Sequence, residues 1–174
     1  MPISLQQALQ DSHADLQQWF LIHQECLLLG HDSFAETGWQ MFCALLENHI
    51  HFENDALLSA HDGQPGLRWP TTVYRKEHDK LLTMMAQLSD RLQEYHAFAG
   101  RYRRLALLEL LDAEFRFQHV MAHHEQREEQ DLFPVLASGA GSDRLLQQWQ
   151  DSNQPLQQRA GMLKPQLQDF LSGA

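Results

Sequence analysis

The stretch His119–Pro134, HVMAHHEQREEQDLFP, decides the reading of this chain, because it puts charge on a helix face that periodicity marks as apolar. At 3.6 residues per turn, Leu110, Phe117, Val120, Met121 and Leu132 share one side, and His124 and Glu128 fall in the middle of it. A buried imidazole one turn from a buried carboxylate needs partners, since an unpaired polar group or charge in a core is costly. Each of the three earlier helical segments supplies at least one: His13, His49 with Glu53, and His78 all lie on apolar faces.

Those faces set the architecture. Ser4 with Gln7 predicts a capping box, opening a helix that carries Leu5, Leu9, His13, Leu16, Phe20 and Leu27 on one side and ends at Gly30. Ser33 with Glu36 predicts a second box, followed by Phe42, Leu45, Leu46, His49, Glu53, Ala56 and Leu57, with a stop near Asp62-Gly63 and a loop over 63–69. Pro70 suits a first helical turn, and Tyr74, His78, Leu82, Met85, Leu88 and Leu92 form the third stripe, up to Gly100. The fourth helix begins near Tyr102 and runs to Phe133, where Pro134 and the Gly-Ala-Gly-Ser of 139–142 break it. Helices of about 25–30 residues on short loops predict an all-α, up-down-up-down four-helix bundle over residues 1–137.

Residues 138–174 are expected as a short C-terminal helical appendix. One short helix would carry Leu145, Leu146 and Trp149, and another Leu156, Met162, Leu163, Leu167 and Phe170, with interruptions at Pro155 and Pro165. Its apolar residues would pack on the bundle or on a second copy, which leaves a homodimer contact open.

Composition narrows the partners. The chain of 174 residues is 43% hydrophobic, enough for one core, and its formal charge of −10 argues against nucleic acid or an anionic membrane, which need clustered Lys and Arg. The N-terminus has neither the basic start nor the apolar run of a signal peptide, and no segment has the length of a membrane span, so a cytoplasmic protein is expected. Cys26 and Cys43 read as reduced packing thiols.

The chemistry lies in the histidines. His49-x-x-x-Glu53 and His124-x-x-x-Glu128 each project two ligands about 40° apart on one helix face. Imidazole with carboxylate suits iron, zinc or manganese, and two carboxylates in a bundle can bridge cations about 3.5–4 Å apart. A lone histidine on an apolar face reads as a hydrogen-bonded core residue. Two His–Glu pairs facing one core, however, would leave like charges together without a cation.

The order His, His-x-x-x-Glu, His, His-x-x-x-Glu-Glu-x-x-Leu-Phe-Pro resembles the hemerythrin-like, or HHE cation-binding, family over roughly residues 5–136. The resemblance implies a non-haem centre of two iron ions. His13 matches the first-helix ligand, His49 and Glu53 the second-helix pair, His78 the third-helix ligand, and His124 with Glu128 the last pair, the two glutamates bridging. Zinc or manganese fits the same ligands. Oxygen-carrying members look as if they use a His-x-x-x-His pair on the third helix, where this chain has Tyr74 one turn before His78. Tyr74 is therefore expected either to ligate ferric iron as phenolate or to hydrogen-bond a species in the open position.

The surrounding residues divide by register. His119 and His123 lie roughly 140° and 100° round the helix from His124 and are expected on its flank or behind the ligands, with an alternative register for His119 left open. His23, His31, His51, His61 and His96 are expected to be solvated, as are Glu125, Glu129 and Asp131, while Glu114 is a candidate for an acid behind the ligands. Phe20, Phe42, Leu82, Met85, Phe117 and Met121 are expected to line a dry pocket that admits very small molecules.

The function implied is the handling of oxygen, NO or iron by binding, sensing or storage, with a small diatomic or peroxide as ligand. The alternatives are a di-iron enzyme reducing peroxide or NO, which would show turnover with a reductant, and a metal-free four-helix scaffold for a protein partner. A ferritin-like oxidase would need Glu-x-x-His on two helices, and none of the eleven glutamates has a histidine three residues later.

Overall fold

The computed structural model describes residues 3–62, 66–137 and 141–173. Among its described residues the regular structure is helical with no strand, an all-α bundle. Helix α1 spans Leu5–Leu28, α2 Asp32–Phe52, α3 Thr71–Ala97, α4 Gly100–Arg127, α5 Phe133–Ala137 and α6 Ser142–Gly173. Of the loop expected at 63–69, residues 63–65 lie outside the described residues, as do 139 and 140 of the break expected at 139–142.

Local chemistry explains most of the ends. The Ser4 hydroxyl accepts from the Gln7 amide at 3.1 Å and opens α1. At the other end Gly30 takes φ 72°, and the His31 and Gly30 amides bond the Cys26 and Leu27 carbonyls, a left-handed cap that releases the chain into α2. The box expected at Ser33 does not form. Helix α2 starts two residues earlier, at Asp32, with His31 as the preceding residue and no side-chain cap bond. Gly38 then lets α2 approach α1 closely, since a Cβ there would meet the His23 backbone at 3.2 Å.

Cross-helix contacts pair early residues on one helix with late ones on the next, so neighbouring helices run in opposite directions. His13 of α1 reaches Glu129, just beyond α4, while His23 reaches Glu114, midway along α4, and Trp39 of α2 bonds Ser89 of α3.

Two expected breaks are absent. Pro134 does not end the fourth helix. Residues Glu128–Leu132 widen into a π turn, the Phe133 amide bonds the Glu128 carbonyl five residues back, and α5 follows directly. A wider turn relieves the missing donor and the ring clash that proline brings to a regular helix. A second π turn, Glu53–Leu58, ends α2 in the same way. The C-terminal segment is one helix of 32 residues running through Pro155 and Pro165, not two short ones. Trp149, Ala160 and Leu167, at helical spacing, are buried and hold α6 against α1 and α2 of its own chain.

The core has two apolar layers. One contains Leu16, Phe20, Phe42, Leu81, Leu110 and Phe117 among others. The other contains Leu5, Leu9, Phe52, Leu57, Tyr74, Leu132, Phe133 and Trp149. Between the two layers α1 to α4 each carry one of the histidines singled out above, and Glu53 and Glu128 open the π turns that follow α2 and α4.

Candidate metal centre

His13, His49, Glu53, His78, His124 and Glu128 are each at most 5% exposed, and the fold gathers them into that intermediate layer. Their inward atoms form two quartets: His13, His49, Glu53 and Glu128, and then Glu53, His78, His124 and Glu128. Within each quartet the four atoms lie within 4.8 Å of one another.

The carboxylates are shared between the quartets. Glu53 places Oε1 3.2 Å from His49 Nε2 and Oε2 3.2 Å from His78 Nε2. Glu128 places Oε2 3.4 Å from His13 Nε2, and Oε1 3.3 Å from His78 Nε2 and 3.1 Å from His124 Nε2. Atoms bound at about 2.0–2.2 Å to a common ion sit at just such spacings from one another. These contacts are mostly not hydrogen bonds: both Glu53 oxygens, Glu128 Oε2 and His124 Nε2 are buried with no hydrogen-bond partner among the described residues. Buried acceptors without donors fit a cation, so the chemistry of the donor set is that of a metal-binding site.

Every imidazole is held from behind through its other nitrogen. His13 Nδ1 meets Glu129 Oε1 at 2.8 Å, His49 Nδ1 the Ser12 hydroxyl at 3.1 Å, His78 Nδ1 Asn54 Oδ1 at 2.8 Å, and His124 Nδ1 Glu77 Oε2 at 3.1 Å. A carboxylate or amide oxygen only accepts, so His13, His78 and His124 donate outward through Nδ1 and turn Nε2 into the layer. The Glu77 carboxylate also pairs with Arg127.

In the metal-free protein, protons provide the compensating charge. Burial pulls His13 down, but Glu128 and neighbouring carboxylates outweigh it and raise it to about 9. His78 and His124 are likewise raised by Glu128 and Glu53 against the effect of burial. Burial would raise Glu128, yet His124, His13 and His78 hold it well below the carboxylate range.

Tyr74 is fully buried, and its hydroxyl has no hydrogen-bond partner among the described residues. Burial, then Asp131 and Glu128, push the phenol up to about 12, so it stays protonated in the metal-free state. His119 is placed otherwise than the alternative register allowed. It is exposed on the outside of α4, its ring 4.5 Å from that of His123, because the inward direction is taken by His124 and Met121.

Three other expectations need correction. His23, expected in solvent, is 1% exposed; its Nδ1 donates to the Ala35 carbonyl at 2.8 Å and its Nε2 meets Glu114 Oε1 at 3.0 Å. Glu114 therefore belongs to this pair, and to Gln24, rather than backing the quartets. Each residue gives the other a buried hydrogen-bond partner, and a polar group left alone there would be costly. Glu125, expected on the charged face, is 5% exposed and accepts from Gln17 Nε2 of α1 at 2.7 Å. Periodicity alone could have found it, since it sits next to His124 on the side facing α1. Of the expected pocket residues, Phe20, Phe42, Met85, Phe117 and Met121 are buried in the core layer and Leu82 packs at its edge.

No described helix is long and apolar enough to cross a membrane. No curated protein and no solved structure matches the chain. The hemerythrin HHE cation-binding domain does match, over residues 70–167, from the start of α3 into α6. That span holds His78, His124 and Glu128, while His13, His49 and Glu53 join them through the geometry of α1 and α2. With more than half its length matched and its buried histidines and glutamates converging between two apolar layers, the chain belongs to the hemerythrin HHE cation-binding domain family.

Proposed function

We propose that the chain, in the bundle of residues 1–137, is a non-haem di-iron protein that binds or senses oxygen, NO or another small molecule, or iron itself. The observation that carries this reading is the sharing of both carboxylates: Glu53 and Glu128 each present an oxygen to two quartets, which is what bridging of two ions requires. His13 and His49 would hold one ion and His78 and His124 the other, with Glu53 and Glu128 common to both. Bound iron would supply Lewis acidity and one-electron chemistry to a small ligand.

The chain's own residues do the rest. Glu129, Ser12, Asn54 and Glu77 fix the ring orientations, so the Nε2 atoms converge before any ion arrives. The apolar layers above and below keep bulk water out. Tyr74, protonated and buried one turn before His78, offers a hydroxyl that a small bound species could accept from. Helix α6 closes the α1–α2 side, where the Trp149 ring centre stands 5.6 Å from that of His49.

Metal content per chain after anaerobic reconstitution with ferrous iron and desalting tests this reading. About two irons are expected, lost in a His49→Ala, Glu53→Ala double variant. A protein that retains no iron, and melts at the same temperature with or without it, would leave only a helical scaffold.

A further inference from the structure

Asn54 and Glu129 occupy equivalent places. Each directly follows a shared glutamate, Glu53 or Glu128, and each lies in one of the two π turns. Each also reaches across the bundle to the Nδ1 of a lone histidine: Asn54 Oδ1 to His78 on α3, and Glu129 Oε1 to His13 on α1, both at 2.8 Å. The wide turn makes this possible. Consecutive residues of a regular helix diverge by about 100°, so a glutamate aimed into the core would send its successor away from it. The Asn54 carbonyl, loosened by the turn, is held by the Ser59 hydroxyl and by Arg75 Nη1, each at 2.8 Å.

The two places differ in charge. Glu129 presents a carboxylate to His13, and Asn54 presents a neutral amide to His78. The carboxylate behind His124, Glu77, is already paired with Arg127. On the His13 side no Arg or Lys among the described residues pairs with Glu129, and a second carboxyl, Glu125, is buried against α1. An imidazole that donates to a carboxylate is a stronger metal ligand than one that donates to an amide, and such outer partners change metal affinity by about 10–100-fold.

We propose that Asn54 and Glu129 are positioning residues that make the two ion positions inequivalent, the one held by His13 and His49 binding its ion first and more tightly. The inequivalence rests on the two-ion reading above. It arises although both positions have the same count of two imidazoles and two shared carboxylates.

Titration of the metal-free full-length chain with zinc ions tests it, by calorimetry against a competing chelator and with the histidine ring signals followed by NMR. The expected result is two one-ion steps separated by about tenfold or more in affinity, with His13 and His49 shifting in the first. Glu129→Gln should weaken the first step and Asn54→Asp should strengthen the second, so that either substitution closes the gap. The two together should reverse the order in which the rings shift. Since Asn54→Asp is expected to gain affinity, a folding defect cannot imitate its effect. Two ions binding with equal affinity, His78 and His124 shifting first, or variants that leave the gap unchanged would overturn the proposal while leaving the two-ion reading intact. Fewer than two zinc ions in total would overturn both.

Discussion

The Nε2 atoms of His13 and His49 stand 3.1 Å apart in the core, on neighbouring helices, at a level they share with buried Ser12, Glu53 and Glu128. Two such lone pairs repel unless a proton or a metal ion lies between them; in the metal-free protein the proton held by His13 takes that place, and a bound ion would displace it. Ferrous iron or zinc at about 100 times its dissociation constant should therefore stabilise the fold by about 2.7 kcal/mol. For a chain of this size that raises the melting temperature by roughly 5–11 °C, readable by circular dichroism with and without chelator.

The pH dependence of the metal-free protein follows from His13. Its folded value, about 9, lies above the ordinary histidine value of 6.5, so its contribution is complete below about pH 6.5 and is lost as pH rises through 9. Glu128 acts in the opposite sense, its lowered carboxyl contributing above the ordinary carboxylate range and losing that contribution on acidification. The metal-free melting temperature should thus be highest near pH 5–6.5 and fall towards pH 9, while metal-loaded protein holds or gains over the same interval as protons cease to compete. A metal-free melting temperature that rises between pH 6.5 and 9 would contradict this.

Glu128→Ala should be the most damaging single change in the layer. It strips His13, His78 and His124 of the carboxylate they share, and removing one member of a buried charge cluster costs about 3–5 kcal/mol. Denaturant unfolding of the metal-free variant measures that cost, and iron content should fall at both positions rather than one.

The His23–Glu114 pair provides a control. It lies ten residues from His13 along α1, about 15 Å of helix, and shares no residue with the quartets. Glu114→Ala should cost a similar 3–5 kcal/mol while iron content stays unchanged. Replacing both by leucine should recover most of the loss, because well-packed apolar residues often equal a buried polar pair.

Tyr74→Phe should leave the metal-free fold as stable or up to about 1–3 kcal/mol more stable, since it removes a buried hydroxyl without a partner. In the iron-loaded protein the same change should weaken the binding of azide or NO, followed by optical titration. Unchanged affinity and an unchanged spectrum would take Tyr74 out of the site.

Most of this layer is legible in the sequence because helical period fixes which side of a helix a residue faces. His13, His49, Glu53, His78, His124 and Glu128 all stand out as polar interruptions of apolar stripes, and four stripes imply a shared core. What periodicity cannot carry is the wide turn. Residues Glu53–Leu58 and Glu128–Leu132 depart from 3.6 residues per turn, so Asn54 and Glu129 look like surface residues until the fold is known. His23 and Glu114 escape for another reason: each looks anomalous alone, and only the antiparallel pairing of α1 with α4 brings them together. Pro155 and Pro165 mislead because proline disfavours a helix locally, whereas Trp149, Ala160 and Leu167 bind one continuous face of α6 to the bundle.

The wide turns also make the protein sensitive to length. Each accommodates about one residue more than a regular helical turn, and that residue carries no apolar burden of its own. Deleting one position from 55–58 would remove that extra residue, restore regular winding and leave the residues beyond the turn in register. What would change is Asn54, whose carbonyl would regain an in-helix donor in place of Arg75 and whose side chain would lose its aim at His78. A one-residue deletion here should therefore be tolerated by the fold and read out at His78, an inversion of the usual penalty for shortening a helix.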